Sequence, residues 1–534
     1  MKTREDHFEI VSEDLLARIG KLYTKSGVVR TPTLVPVINP VKNAVPPSSI
    51  VEMGYDLLIT NAYIIKRRFG AEAEAVGVHS ILGVETPVMT DSGAYQLLMY
   101  GEVDVEPEEI LDYQVKIGSD IGVILDIPTK VGSSRDVVKR EVEETLRRAQ
   151  QALSFDRGEM LLVGPVQGGT YLDLVAYSAQ RLSQMDFDIY AVGSPTQLLK
   201  EYRFGELIKL IATAKMNLPI GSPLHLFGAG HPLIIPFAVA LGVDLFDSAS
   251  YALYAMGDRY MTPYGTIRLE RLKELPCSCP VCSNISTEDL KTMSKAEREK
   301  LVAKHNLYVL LQEVRATRQA IEEGTLWNYL EAKSRAHPSL HDAMRQLRRY
   351  VHFIEKHDPV THVNVSAEFF YDEESRYRPS IYRYFLRLRD RYTPPPRKVL
   401  VLLPETPEKP FSRYGWIAEL KKRLEELKIN GYHLVVYSRI YGIIPLELDE
   451  LYPCSQYEAA TFEGREYWND IAWFIRRYGS FYRDLIFFYE ESARVPFQAL
   501  AAAATEAGRK LEFVPIRKEK SRLLQVLEFL KAFL

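Results

Sequence analysis

The sequence predicts an α/β protein: a (β/α)8 TIM barrel with a zinc-bound helical appendage, followed by a small doubly wound α/β domain. Three observations carry that expectation. Eight short apolar runs alternate with amphipathic stretches between about residues 30 and 250. Three clustered cysteines and a downstream histidine have the spacing of metal ligands. Beyond a triple proline, a second alternation of helix and strand patterns begins. At 534 residues the chain exceeds one ordinary core. Its hydrophobic fraction of 46% and charged fraction of 26% exclude a disordered or collagen-like chain. No apolar run approaches the roughly 18 residues of a spanning helix, and the N-terminus lacks the apolar stretch of a signal peptide. A cytoplasmic protein with no membrane partner is expected. A net charge of −3 leaves RNA open as a partner, but one that local basic patches would have to hold.

The eight runs are Thr33–Val37, Tyr55–Ile59, Pro87–Met89, Gly122–Leu125, Met160–Val166, Asp188–Val192, Leu224–Phe227 and Asp244–Phe246. Helical periodicity separates most of them, as in Val137–Leu153, Tyr171–Met185 and Phe204–Met216. Eight strands favour a closed barrel over an open sheet. Many of the runs end in polar or glycine-rich turns: Asp91-Ser-Gly, Asp126, Gln167-Gly-Gly, Gly193-Ser, Gly228-Ala-Gly-His231 and Asp247-Ser. Such residues either cap the next helix or build a site at the carboxyl face, where barrel enzymes carry theirs.

Cys277, Cys279 and Cys282, with His305 on a helix, offer three thiolates and one imidazole. Four ligands of that kind make a closed tetrahedral site for one structural Zn2+, fastening the appendage to the barrel. Disulfide pairing is the competing reading, disfavoured in a reducing compartment. From Ser286 to about Arg349 the sequence is helical and charged, with Lys291–Gly324 reading as one long helix or two short ones. Pro394–Pro396 marks a boundary, because proline fixes φ and removes a donor. Thereafter Lys398–Leu403, His433–Tyr437, Leu485–Tyr489 and Leu511–Pro515 read as strands. Ile417–Leu427, Glu466–Arg477, Pro496–Gly508 and Ser521–Leu534 read as helices. The expected organisation is barrel 1–276, zinc-binding appendage 277–350, basic and aromatic connector 351–396, and C-terminal α/β domain 397–534.

Asp91 and Asp247 both follow barrel strands and would face one mouth. Paired carboxylates suit displacement at an anomeric carbon, one attacking C1′ while the other moves protons. Spacing alone is weak support for this. Between Arg376 and Lys398 the chain carries eight Lys or Arg against the single acid Asp390, interleaved with Tyr377, Tyr382, Tyr384, Phe385 and Tyr392. That composition suits RNA contacts and equally suits a helix face with snorkelling arginines.

Met89-Thr-Asp-Ser-Gly-Ala-Tyr-Gln96, Val166-Gln-Gly-Gly169, Phe227-Gly-Ala-Gly-His-Pro232 and Asp244-Leu-Phe-Asp-Ser-Ala-Ser-Tyr-Ala-Leu-Tyr-Ala255, with the cysteine cluster and His305, resemble tRNA-guanine transglycosylases of the archaeal, archaeosine type. The resemblance spans roughly residues 5 to 350. It implies exchange of guanine at position 15 of the tRNA D-arm for free 7-cyano-7-deazaguanine, with Asp247 as nucleophile and Asp91 as general acid/base. It also implies Tyr95 stacking on the base, Asp126 reading the purine edge, and Gln167 and the backbone near Gly193 completing the pocket. Ser194 and Pro195 depart from the consecutive glycines of bacterial members, which leaves the incoming base less determined than the reaction. The family tendency suggests a homodimer built near the zinc region. No PUA domain, usual in archaeal members, is recognisable before Leu534, so a separate PUA-containing subunit is an expected partner.

Leu402-Leu-Pro-Glu-Thr-Pro-Glu-Lys-Pro-Phe411 and Tyr441-Gly-Ile-Ile-Pro-Leu-Glu-Leu-Asp-Glu-Leu-Tyr-Pro453 resemble the paralogous archaeosine synthase, which modifies the nitrile already placed in tRNA. Glu405 stands where that signature has cysteine and Phe411 where it has tyrosine, although Lys409 remains. Base exchange is therefore the leading reading. A nitrile-modifying enzyme and a non-catalytic tRNA-binding subunit are the alternatives. The role of Cys454 is open.

Overall fold

Eight parallel strands close into a barrel in the computed structural model, which describes residues 7–94, 105–361, 367–460, 466–517 and 522–533. The chain divides into two units, Met1–Asn364 and Val365–Leu534.

In the first unit an antiparallel sheet comes first: β1 (Phe8–Asp14), β2 (Ala17–Tyr23) and β3 (Val28–Thr31). The barrel strands are β4 (Thr33–Ile38), β5 (Leu58–Asn61), β6 (Val88–Asp91), β7 (Ile121–Val123), β8 (Leu161–Val166), β9 (Ile189–Val192), β10 (Leu224–Leu226) and β11 (Leu245–Ser248). Each overlaps one of the eight apolar runs. Every residue of β8 and β9 is buried, as parallel strands covered on both faces require. Val35, Ile59, Met89, Ile121, Val163, Ile189 and Leu245 fill the barrel interior, joined by Leu22 of β2 and Val29 of β3. Burying such a side chain fully contributes about 1.5–3 kcal/mol, so the filling defines a packed floor rather than a pore.

The helix Arg135–Ala152 buries Val138, Val142, Leu146 and Ala149, spaced to make one apolar face. The expected helix across Lys291–Gly324 is a short one, Thr287–Thr292, and a single long one, Lys295–Glu322. The hydroxyls of Ser286 and Ser294 cap them by accepting from the Asp289 and Glu297 amides. A two-stranded hairpin, β12 (Arg259–Thr262) with β13 (Gly265–Arg268), precedes the cysteines. Neither this hairpin nor the β1–β3 sheet is legible as a pattern in the sequence.

The second unit holds β14 (Glu368–Phe370), β15 (Val399–Pro404), β16 (Tyr432–Ser438), β17 (Gly442–Pro445), β18 (Tyr457–Ala459), β19 (Asp484–Glu490) and β20 (Leu511–Ile516). Five of them form one sheet in the order β17-β16-β15-β19-β20, parallel except for β17. Central strand β15 shows why helices cover both faces. Val399, Val401 and Leu403 pack toward the helices Gly415–Glu426 and Arg522–Phe533, while Leu400 and Leu402 pack toward Tyr467–Tyr478 and Phe497–Glu506. The antiparallel edge strand and the β14–β18 pair add to the expected alternation. The triple proline lies between the helix Pro379–Asp390 and β15.

The basic stretch belongs to this second unit, and part of it points inward. Arg376, Arg378 and Arg383 are buried. Arg376 pairs with Asp470 and donates from Nε to the Ile440 carbonyl at 2.8 Å. Arg387, Arg389, Arg391, Arg397 and Lys398 are exposed. Among the described residues, no helix is long and apolar enough to cross a membrane.

Candidate functional site

Asp91, Asp126, Gln167, Gly193 and Asp247 all lie at the carboxyl ends of barrel strands. Asp91 closes β6 and Asp247 is the penultimate residue of β11, while Gln167 and Gly193 follow β8 and β9 directly and Asp126 lies three residues beyond β7. The parallel register sets Asp91 level with Asn61 of β5 and Asp247 level with Val35 of β4. Both aspartates therefore rise to the same mouth. Tyr95 lies outside the described residues.

Each carboxylate is held differently. Asp91 accepts from Asn61 Nδ2 at 2.8 Å, and the Asn61 Oδ1 accepts from the Ile64 amide, so one side chain caps a helix and fixes an acid. Asp126 is buried and accepts from Gln167 Nε2. The Gln167 Oε1 in turn accepts from Ser194 Oγ at 3.0 Å. Gly193 is required beside them, since a Cβ there would stand 2.2 Å from Gln167 Nε2. Ser194 itself sits in the left-handed region at φ 59°, a conformation costly to a non-glycine residue that marks a constrained position. Asp247 Oδ1 accepts from His225 Nε2 at 3.0 Å and from the Gly228 amide at 2.9 Å. Gly228 reaches it from φ 68°.

The electrostatics of the mouth follow from crowding acids in a place with little water. Burial, and then the charges of Asp126 and Asp247, push Asp91 up to about 7 against the hydrogen bonds from Gly93 and Asn61. Burial pushes Asp126 up to about 6, partly offset by Gln167. The Asp91 value is one a general acid/base needs near neutrality.

Asn61, Ser194 and His225 contact these groups, yet sequence reading singled out neither Asn61 nor His225. Asn61 sits at a strand-to-helix junction, where an N-cap asparagine looks ordinary. His225 lies inside an apolar β run, where a histidine reads as core. Its Nδ1 is buried with no partner among the described residues, a state that typically costs about 1–3 kcal/mol.

Away from the mouth, Cys277, Cys279, Cys282 and His305 bring their ligand atoms within 4.8 Å of one another, a group that could hold a metal ion. His305 Nε2 lies 2.8 Å from the Met261 carbonyl, which leaves Nδ1 turned to the sulfurs at 3.5 Å from Cys279 and 3.3 Å from Cys282. Tyr260 stacks on the imidazole at 3.7 Å between centroids, and its hydroxyl reaches Cys282 Sγ at 3.2 Å. Ligands oriented by such outer contacts are the usual build of a structural metal site. All three cysteines are free thiols rather than disulfides.

A closed parallel barrel with carboxylates at its carboxyl face and a Cys3His cluster beside it defines the class of barrel to which the chain belongs. Residues 13–339 match the model of the queuine tRNA-ribosyltransferase family, and the chain belongs to that family. Residues 381–473 match a domain family of unknown function, DUF5591. A tRNA-guanine(15) transglycosylase of Pyrobaculum aerophilum is 48% identical over 456 residues, covering 85% of this chain and 90% of that protein. Proteins of the same name from Methanocaldococcus jannaschii and Sulfolobus acidocaldarius are each 41% identical, over 84% of this chain and over 68% and 88% of their own lengths.

Proposed function

We propose that this chain is a tRNA-guanine(15) transglycosylase that exchanges the guanine for free 7-cyano-7-deazaguanine in archaeosine biosynthesis. The observation that carries the reading is the pair of aspartates at one mouth, Asp91 pushed up to about 7 by burial and then by the charges of Asp126 and Asp247. Asp91 therefore still holds a proton in a substantial fraction of molecules at neutral pH, as a general acid must.

A lone pair of Asp247 Oδ2 forms a bond to ribose C1′ as the C1′–N9 electron pair leaves with guanine. Asp91 protonates the departing ring and becomes a carboxylate. The incoming base gives its proton to Asp91 and attacks C1′, breaking the ester and restoring Asp247. One N-glycosidic bond replaces another, so no external energy source is required. Asp126 accepts from the N–H edge of the purine, Gln167 donates to its carbonyl through the N–H that Asp126 does not use, and the backbone at Gly193 lines the pocket; Tyr95 stacks on the base. Extracting the base from its stack costs a few kcal/mol, which these contacts offset.

Zinc suits the three sulfurs and one nitrogen of the cluster, where it would hold the appendage to the barrel as a structural ion. Exposed Arg387, Arg389 and Arg391 supply phosphate contacts for tRNA. Glu405, at the place of the synthase cysteine, accepts from the Arg439 amide and from Tyr457 Oη, each at 3.1 Å. A carboxylate so engaged supports a scaffold or tRNA-binding role for this unit rather than nitrile chemistry. The test is release of labelled guanine from archaeal tRNA on adding 7-cyano-7-deazaguanine. Wild type should release it and Asp247→Ala should not; equal rates would remove Asp247 from the reaction. kcat/KM should fall above about pH 7 as Asp91 loses its proton.

A further inference from the structure

Asp247 is loaded on one oxygen. Oδ1 takes both the His225 Nε2 and the Gly228 amide, while no donor stands at Oδ2 among the described residues. The two donors come from one segment: His225 lies within β10 and Gly228 just beyond its end, so a single stretch of backbone sets the carboxylate plane. His225 is fully buried, with its ring edge against Phe227 at 4.7 Å between centroids. The Asp247 side chain is 15% exposed toward the mouth. For Nε2 to donate, the proton must sit on Nε2, and neutral His225 then carries a bare lone pair at Nδ1, the atom without a partner.

A leucine at this position would fill the same apolar space without leaving a polar atom unmatched. A histidine with one nitrogen orphaned is explained by what the other nitrogen does. We infer that His225 is a positioning residue: it and Gly228 hold Oδ1 so that Oδ2 alone presents its lone pair to the ribose carbon. The inference rests on the base-exchange reading. It adds that orientation of the carboxylate, and not only its charge, governs the step in which the Oδ2–C1′ bond forms and the C1′–N9 pair departs with the base. Misplacing a reacting atom by about 1 Å costs on the order of 100-fold in rate.

The test compares His225→Leu, which removes the donor, with His225→Gln, whose Nε2 can occupy nearly the same place. His225→Leu should lower kcat and the rate of covalent enzyme–RNA adduct formation about 100-fold, with KM for tRNA and for the free base within about twofold of wild type. Its Tm should be unchanged or higher, since the orphaned nitrogen is gone. His225→Gln should recover at least tenfold of the lost rate. Crystal structures of both variants should show the Asp247 carboxylate rotated in the first and restored in the second. The inference is overturned if His225→Leu keeps wild-type kcat, if its loss lies in KM, if glutamine recovers nothing, or if Asp247 has not moved. If His225→Leu does not fold, His225→Gln decides by rate and carboxylate position. Should wild type show no base exchange at all, the functional reading fails on its own, and the carboxylate orientation in the two crystal structures still upholds or overturns the role of His225.

Discussion

The barrel mouth and the C-terminal sheet use the same local grammar of strand, turn and helix, but treat their charged groups in opposite ways. At the mouth, acids are gathered without a Lys or Arg in ion-pair contact among the described residues; burial and then the neighbouring carboxylates push Asp91 up to about 7, and burial pushes Asp126 up to about 6. In the second unit the buried charges are matched. Arg376 pairs with Asp470, and Glu368 accepts from Tyr441 Oη at 2.8 Å beside Arg378. The lesson is that perturbation, rather than the number of charges, separates a reactive centre from a scaffold. Of the eight basic residues between Arg376 and Lys398, whose composition suited RNA contacts and a helix face equally, three are buried.

This contrast can be broken most directly at the mouth. Asp247→Asn should cut base exchange about ten-thousandfold or more and abolish a denaturant-resistant adduct, with metal content and Tm retained. Lys409→Ala in the second unit, whose ammonium lies 4.1 Å over the Tyr457 ring, should leave exchange within about twofold. If both variants lost activity alike, the division of labour would be wrong.

The next largest effect tests the metal cluster. Cys279→Ser should lose the bound ion by elemental analysis and lower Tm by about 5–10 °C, because metal binding is coupled to folding. Chelation of wild type should move Tm the same way. An unchanged Tm with normal metal content would contradict the assignment.

Asp126 sharpens the comparison through pH. Its folded pKa of about 6 lies above the ordinary 3.8, so between these values the folded chain binds more protons than the unfolded one. Stability therefore falls as pH rises from about 4 to 6 and stays reduced above that. Asp126→Asn should be more stable than wild type by on the order of 2–3 kcal/mol at pH 8 and by little at pH 4, while binding the free base more weakly. Denaturant melts at the two pH values check this. A difference independent of pH would mean that Asp126 is not ionised against a burial cost.

The smallest effect belongs to the exposed arginines. Replacing Arg387, Arg389 and Arg391 by alanine should weaken tRNA binding about three- to tenfold and flatten its salt dependence, with Tm unchanged. Binding that keeps its full salt slope would place the tRNA elsewhere.

The sequence by itself determined the eight barrel strands and the Cys3His cluster, because burial on both faces and ligand spacing write themselves into neighbouring residues. It also marked Asp91, Asp126, Gln167, Gly193 and Asp247, since polar residues at strand ends interrupt an apolar pattern. Only the tertiary structure decided which of these touch, and through whom. His225 and Asp247 are 22 positions apart and Asn61 and Asp91 are 30 apart; no local period connects them, and the lateral pairing of β10 with β11 and of β5 with β6 brings them within a hydrogen bond. Nor does a local period connect Arg376 and Asp470, 94 positions apart, whose pairing accompanies the burial of one arginine of the basic stretch. Patterns along a chain record which side of an element meets water, whereas the partner of a buried polar group is chosen by how the elements pack.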